Sequence, residues 1–444
     1  MKKRLSSLFL ALALTLTLTA CSGGGTPAAE SAPAAAGSSS QATEEHATTG
    51  GDLTLRLAWL GNGQNKDALD ACLQKYTDTT GIGVETVFIP GTWAEYFTKI
   101  QTMMAGGEKL DCAYVAIEGF NMFIDMDMAA PIDDWIAANN DEYHAVADDV
   151  APNVLAFMNF DGKQYGIPCE YNNVVTHFNT TLLSDAGLSL PAENWDKDAF
   201  LEYCKQLTKT RDDGSKQFAL AIPSYYFGFE AWLYNNGASY MNDDFTKSTL
   251  LEPASVEMFQ LAQDLIYKYG YAPVPESGVD DIQRLIDGNI VMGFWGRWPT
   301  TKYIDENFKN VAVQYIPNFK QNKVIWGGAG IFSINGTEHP DEAASLSVYL
   351  ASPPFIKEFM AAGAIPVLNS VASEVVPSLG FPENNKLYYE SAAKAVTVQA
   401  PPQYAECSTL IERALSDILV NQADVQSTLE EADAELNAIL TENA

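Results

Sequence analysis

From Thr54 to Ile117 the chain alternates strand and helix periodicities, and nothing else in it restricts the fold as strongly. Residues 54–59 alternate as a strand and run into the turn-like Gly61-Asn62-Gly63. Apolar residues at Leu69, Cys72 or Leu73, and Tyr76 then mark one face of a helix. A second strand follows over 84–89. Thr92 and Glu95 have capping-box spacing ahead of a helix with Tyr96, Phe97, Ile100, Met103 and Met104 on one side and Gly106-Gly107 at its end. Residues 111–117 read as a third strand. Strand–helix–strand–helix–strand predicts a mostly parallel sheet covered by helices, an α/β fold. Ligands of such sheets lie at the carboxyl ends of strands, which singles out Asn62 and Glu118, with Asp111 at a strand start.

The later chain is richer in helix. Phe200, Cys204 and Leu207 form one stripe, Val256, Phe259, Ala262 or Leu265 another, and Val425, Leu429, Ala432, Leu436 and Ile439 a seam spaced by fours and threes. A single hydrophobic core stops growing near about 250–300 residues, so a body covering 52–444 is expected to have two lobes. Its formal net charge is −31, a field that repels nucleic acid and anionic headgroups.

The body is preceded by a different kind of sequence. Lys2, Lys3 and Arg4 lead into the apolar run 8–20, and Leu18-Thr19-Ala20-Cys21 closes it. A basic start, a short apolar core and small residues describe an export signal over 1–20. A membrane-spanning helix needs about 20 apolar residues, and this run, interrupted by Thr15, Thr17 and Thr19, stops short. The ending resembles the lipobox of bacterial lipoproteins, which implies cleavage before Cys21 and a lipid on its sulfur. From Ser22 to Gly51 there is no Leu, Ile, Val, Phe, Tyr or Trp. Such a segment cannot bury enough apolar surface to offset its ordering entropy. Residues 21–51 are therefore expected to be a lipidated tether reaching about 30 Å.

Cys72, Cys112, Cys169, Cys204 and Cys407 lack C-x-x-C spacing and sit in apolar settings, so buried free thiols are expected. His46, His144, His177 and His339 are scattered singly, which offers no metal-ligand spacing. No phosphate loop, G-x-S-x-G or H-E-x-x-H motif occurs, and no cofactor is expected. The pairs Asp133-Asp134, Asp148-Asp149 and Asp280-Asp281 read as solvated helix starts.

Six segments in order carry a family resemblance. Gly162-Lys163-Gln164-Tyr165-Gly166-Ile167-Pro168, Phe178-Asn179, Ala186-Gly187-Leu188, Pro191 and Trp195 resemble the signature of family 1 extracellular solute-binding proteins. Residues 105–111, the run 288–298, Gly327-Gly328, Pro340-Asp341-Glu342-Ala343-Ala344 and Gly363-Ala364-Ile365-Pro366 are similar to its other segments. Leu110, Phe178, Leu285 and Asn289 depart from the usual residues. The resemblance implies a two-lobed periplasmic-binding-protein-like fold with crossing hinge segments and an interlobe ligand cleft. Lobe one would comprise 52–167 and 328–372, and lobe two 168–327 and 373–444. Hinges are expected at Gly166–Pro168 and Gly327–Gly328, where glycine absorbs dihedral change.

The resemblance also implies a non-enzymatic, monomeric receptor that captures a small solute and delivers it to an ABC permease, held to the membrane by its lipid. A sugar site needs flat aromatic faces with carboxylates and amides around them. The expected ligand residues are Asn62, Asp111, Glu118, Glu170, Tyr171, Asn172, Tyr225, Trp232, Trp295, Arg297 and Trp326. Strand alternation would set Trp295 and Arg297 opposite Trp298, and the first pair is preferred. Asp111 could instead brace its strand. Tyr226, Phe227 and Phe229 read as core, and Trp195 as structural. A carbohydrate is the favoured solute; a peptide or polyamine, or hydrolysis of a glycan, are the alternatives.

Overall fold

The computed structural model describes residues 45–47, 53–61, 66–359 and 363–441. The signal 1–20, Cys21 and Asn62 lie outside the described residues, as does the tether apart from a strand Glu45–Ala47 that pairs antiparallel with Gly83–Ile89.

Two sheets form separate layers. The first has nine strands, running Glu45–Ala47, Gly83–Ile89, Thr54–Leu60, Cys112–Ala116, Val324–Ile334, Pro168–Asn173 and Ile365–Pro366, with Ala129–Ala130 and Ala395–Thr397 also paired to Val324–Ile334. The three strands expected from the sequence lie side by side and parallel. Every residue of Cys112–Ala116 is buried, as a parallel strand covered on both faces requires. The second sheet has five strands in the order Lys209–Thr210, Lys216–Leu220, Ile290–Trp295, Val175–Asn179 and Val311–Gln314.

Helices begin where side chains satisfy their free N–H groups. Thr92 and Glu95 close a reciprocal capping box on Trp93–Ala105: Glu95 N–H donates to Thr92 Oγ1 at 3.3 Å and Thr92 N–H to Glu95 Oε2 at 2.7 Å. Asp196 caps Lys197–Leu207, which buries Phe200, Cys204 and Leu207. Asp280 caps Asp281–Ile286. Val425–Thr441 buries Val425, Leu429, Ala432 and Leu436 along its seam and packs on Tyr404–Leu419. None of the described helices is long and apolar enough to cross a membrane. The five expected free thiols are all buried.

The passage between sheets is displaced from the expected hinges. Pro168–Asn173 stays in the first sheet, and the chain changes sheets between Asn173 and Val175. It returns between Gln314 and Val324. Residues 168–173 and 324–327, expected in lobe two, thus belong to the first sheet. Gly327 and Gly328 lie inside Val324–Ile334 because backbone and rings approach closely there. A Cβ on Gly328 would stand 2.9 Å from the Glu170 carbonyl oxygen and 3.2 Å from Phe157. Gly166 is wedged likewise, its Cβ position 2.8 Å from the Ile331 carbonyl oxygen. Pro168 pairs with Gly330.

Several aromatics expected at the ligand instead build the core. Trp232 is 0 % exposed, edge-on to Phe294 at 4.9 Å and surrounded by Phe200, Phe229 and Phe319. Trp326 stacks on Tyr171 with centroids 4.3 Å apart. Trp232→Ala should therefore cost about 3–5 kcal/mol of folding stability, read as a lowered chemical-denaturation midpoint; an unchanged midpoint would contradict this placement.

Candidate functional site

Residues from the first sheet and its helices, and from the segments that follow the second sheet's strands, line a cavity of about 400 Å³. The first lobe contributes the start of Trp93–Ala105 (Thr92, Trp93, Ala94), the strand-to-helix turn at Ala116 and Glu118, Glu170 and Asn172, and Gly327-Gly328. The other side supplies Tyr225, Tyr226 and Phe227 at the head of helix Tyr226–Asn235, Trp298, and Tyr404, Ser408, Thr409 and Glu412. The last four lie on helix Tyr404–Leu419, which also touches Trp93–Ala105 and Ile117–Asp125 and so spans both sides.

Local rules explain the placement. Glu118 follows the carboxyl end of Cys112–Ala116, in the first turn of Ile117–Asp125. That is where open α/β sheets present ligand groups, and the helix N-terminus favours an acid. In Pro168–Asn173 successive side chains alternate faces. Glu170 and Asn172 reach the cavity while Tyr171 turns under the sheet onto Trp326. Tyr225 lies over Gly228, where a Cβ would come within 2.5 Å of its ring, and donates from its hydroxyl to the Phe294 carbonyl at 2.9 Å. Trp298 covers Gly296 in the same way.

The wall charges are all carboxylates. Glu118 is 8 % exposed, and its Oε2 has no hydrogen-bond partner among the described residues. Burial pushes its carboxyl up to about 7, offset in part by its own backbone N–H and reinforced by the negative charge of Glu170. Glu170 is likewise pushed up to about 7 by burial, against the Tyr114 hydroxyl that donates to its Oε1 at 2.6 Å. Glu412 accepts from Tyr226 N–H at 3.1 Å and is raised by burial. Tyr114 stacks on Trp59 at 4.2 Å and lies 5.4 Å from Trp93, so an aromatic stack backs this wall.

Of the residues expected at the ligand, the structure brings Glu118, Glu170, Asn172 and Tyr225 together. Asp111 is a brace: it accepts from Arg56 N–H at 2.8 Å and from the Thr337 hydroxyl, tying two neighbouring strands. Tyr171, Trp232 and Trp326 are core. Trp295 is buried above Gly293 beside His177. Arg297 is 1 % exposed and donates to the Ala364 carbonyl, while its backbone N–H donates to Asn172 Oδ1 at 3.2 Å. It supports Asn172 and does not line the cavity. The preference for Trp295 and Arg297 over Trp298 is thus reversed. Trp93, Phe227, Tyr226, Tyr404, Ser408 and Glu412 line the cavity without having been expected there. The strand-end rule could have found Trp93, one residue past a helix cap that follows a strand. Among the described residues no group of three or more His, Cys, Asp or Glu side chains is placed to hold a metal.

Comparison with known proteins follows the same line. The profile of a family described as bacterial extracellular solute-binding protein matches residues 71–380. A protein named as a binding protein in Brucella abortus (strain 2308) is 22% identical over 387 residues, covering 82% of this chain and 87% of its relative. An arabinooligosaccharide-binding protein of Halalkalibacterium halodurans is 24% identical over 222 residues, 47% of this chain and 48% of that one. The structure of an ABC substrate-binding protein from Listeria monocytogenes in complex with cycloalternan superposes with a TM-score of 0.77 at 21% identity, covering 87% of this chain and 99% of that chain.

The raised carboxyl of Glu118 has a consequence for stability. With a folded-state value of about 7 against 4.5, the native chain holds a proton that the unfolded chain has lost between those values. Its contribution is complete below about pH 4.5 and is lost as pH rises through about 7. Relative to Glu118→Gln, the native protein should lose up to about 3 kcal/mol between pH 5 and 8. Denaturation of both proteins across that range reads it; a constant difference would show that Glu118 is not held protonated.

Proposed function

From membership of the bacterial extracellular solute-binding proteins, to which the chain belongs, we propose that it captures a carbohydrate between its two lobes and delivers it to an ABC permease. The observation that carries this reading is the cavity wall: aromatic faces at Trp93, Phe227, Trp298 and Tyr404 beside carboxylates and an amide at Glu118, Glu170 and Asn172. Sugar rings offer apolar C–H faces edged by hydroxyls, and this mixture matches them. Relatives named for arabinooligosaccharide and cycloalternan support the same class of solute.

Capture works by population shift. A solute bridging Glu118 and Glu170 on one side and Phe227 and Trp298 on the other binds the closed arrangement better than the open one, and that difference in affinity drives closure. The solute leaves chemically unchanged. Cys21 carries the lipid that holds the receptor to the outer face of the membrane, and residues 22–51 let the body reach its permease as a monomer.

Titration with a panel of oligosaccharides should change tryptophan fluorescence for at least one member; silence across the panel would sink the carbohydrate reading. Trp298→Ala should weaken that binding by about 1–3 kcal/mol, as loss of an aromatic platform does for stacked bases, read under conditions where circular dichroism shows the variant folded. The recovered glycan should be intact, and product formation would overturn the non-catalytic role. Cys21→Ala should move the protein from the membrane fraction to the medium and abolish labelling by a radioactive fatty acid.

A further inference from the structure

The cavity is anionic to a degree that a neutral solute does not require. Its described lining carries Glu118, Glu170 and Glu412 and no Lys, Arg or His. Glu230 lies close to Glu118 and is 0 % exposed; its Oε1 accepts from Gln399 N–H at 2.9 Å, and the Tyr234 hydroxyl also hydrogen-bonds to its carboxyl. Buried carboxylates are ordinarily matched by a basic partner, because an unpaired one forfeits its hydration without return. Arg413, on the same helix as Glu412, lies outside the cavity lining and pairs with Glu435. The groups around Glu118 are Glu170 and Glu412 on the cavity wall, the Tyr404 hydroxyl, and Glu230 in the core beside it, so none offers a positive charge.

The unpartnered oxygen of Glu118 makes this cluster a site. A hydroxyl could donate one hydrogen bond to Oε2, but Glu118 and Glu170 would still have to hold protons to stay buried side by side. A cation between them removes both costs. The aromatic faces that suit a sugar ring also hold an ammonium group, by attraction to their π clouds. The strongly negative chain draws cations toward the cleft.

We propose that the solute carries a positively charged nitrogen, seated between Glu118 and Glu170 and covered by the cavity aromatics. This rests on the reading of the cleft as the place where solute is held, and it narrows the solute to an amino sugar or another amine-bearing small molecule.

Matched ligands differing only in charge test it. Calorimetry would compare free-amine chitotriose with its N-acetylated form, choline with its neutral isostere 3,3-dimethylbutan-1-ol, and spermidine alone. At least one amine-bearing ligand should bind about tenfold or more tightly than its neutral partner, or spermidine should bind where the neutral ligands do not. Chitotriose and spermidine separate amino sugars from linear amines. Glu118→Gln, of the same shape, should reduce the preference to about threefold or less; the comparison within the native protein stands even if that variant folds poorly. Equal or tighter binding of the neutral members would overturn the cationic solute and leave carbohydrate capture intact. Binding of neutral oligosaccharides alone would do the same. No binding by these ligands or by the oligosaccharide panel would overturn both.

Discussion

The cleft depends on one backbone pairing, Val324–Ile334 against Pro168–Asn173. Both strands sit at the points where the chain leaves one sheet for the other, so their register decides which side chains face the cavity. Gly327 pairs with Asn172 and Gly328 with Tyr171. Gly328 lets the Glu170 carbonyl and Phe157 come so close that any side chain there would collide. Below the sheet the Tyr171–Trp326 stack fixes the same register from the other face. A slip of one residue would turn Tyr171 toward the solute and bury Glu170 against Trp326. Gly166 and Gly328, which resemble hinge residues, therefore act here as spacers, and the chain passes between the sheets just beyond this pairing, at Val174 and between Gln314 and Val324.

This pairing also accounts for which parts of the site could be read from sequence. The parallel strands and capped helices were legible because their signals are local: alternation, the Thr92–Glu95 box, the Asp196 and Asp280 caps. The parity of a strand is different. Ile290–Trp295 is covered on both faces, so its sequence carries no polar alternation that says which face meets the cavity, whereas Pro168–Asn173 does alternate, Glu170 and Asn172 against Cys169 and Tyr171. Glu170 and Asn172 were identified together with Tyr171, although only the first two line the cavity. The ambiguity of the covered strand placed Trp295 and Arg297 in the cleft when Trp298 occupies it.

Helix Tyr226–Asn235 shows the second limit. It buries residues on nearly every side, with Tyr226, Phe229, Trp232 and Leu233 all inside, so no polar stripe marks an outer face. Trp232 and Phe227 look alike in such a segment, yet one is core and the other cavity wall. The contribution of Tyr404, Ser408 and Glu412 was beyond reach for another reason. It depends on a helix near the end of the chain folding back across both lobes, a tertiary fact with no local signature.

The electrostatics connect these limits to function. A carboxyl within two residues of a strand end is readable, but its burial and its lack of a partner are not. Glu118 becomes unusual only when Glu170, Glu230 and Glu412 arrive from three other segments and no base among the described residues joins them in the cavity lining. Folding alone gains nothing from this arrangement, since a better-packed neutral site would be more stable. On the proposed reading, the stability forfeited there is recovered when a solute satisfies the carboxyls, most fully with the lobes closed, because each side contributes both carboxyls and aromatic rings: Trp93, Glu118 and Glu170 from one, Phe227, Trp298 and Glu412 from the other. Closing the cleft also lowers the local dielectric and so strengthens whatever polar contacts the solute makes. The unsatisfied acids in the open cleft are thus part of what makes closure respond to the solute's chemistry as well as to its shape.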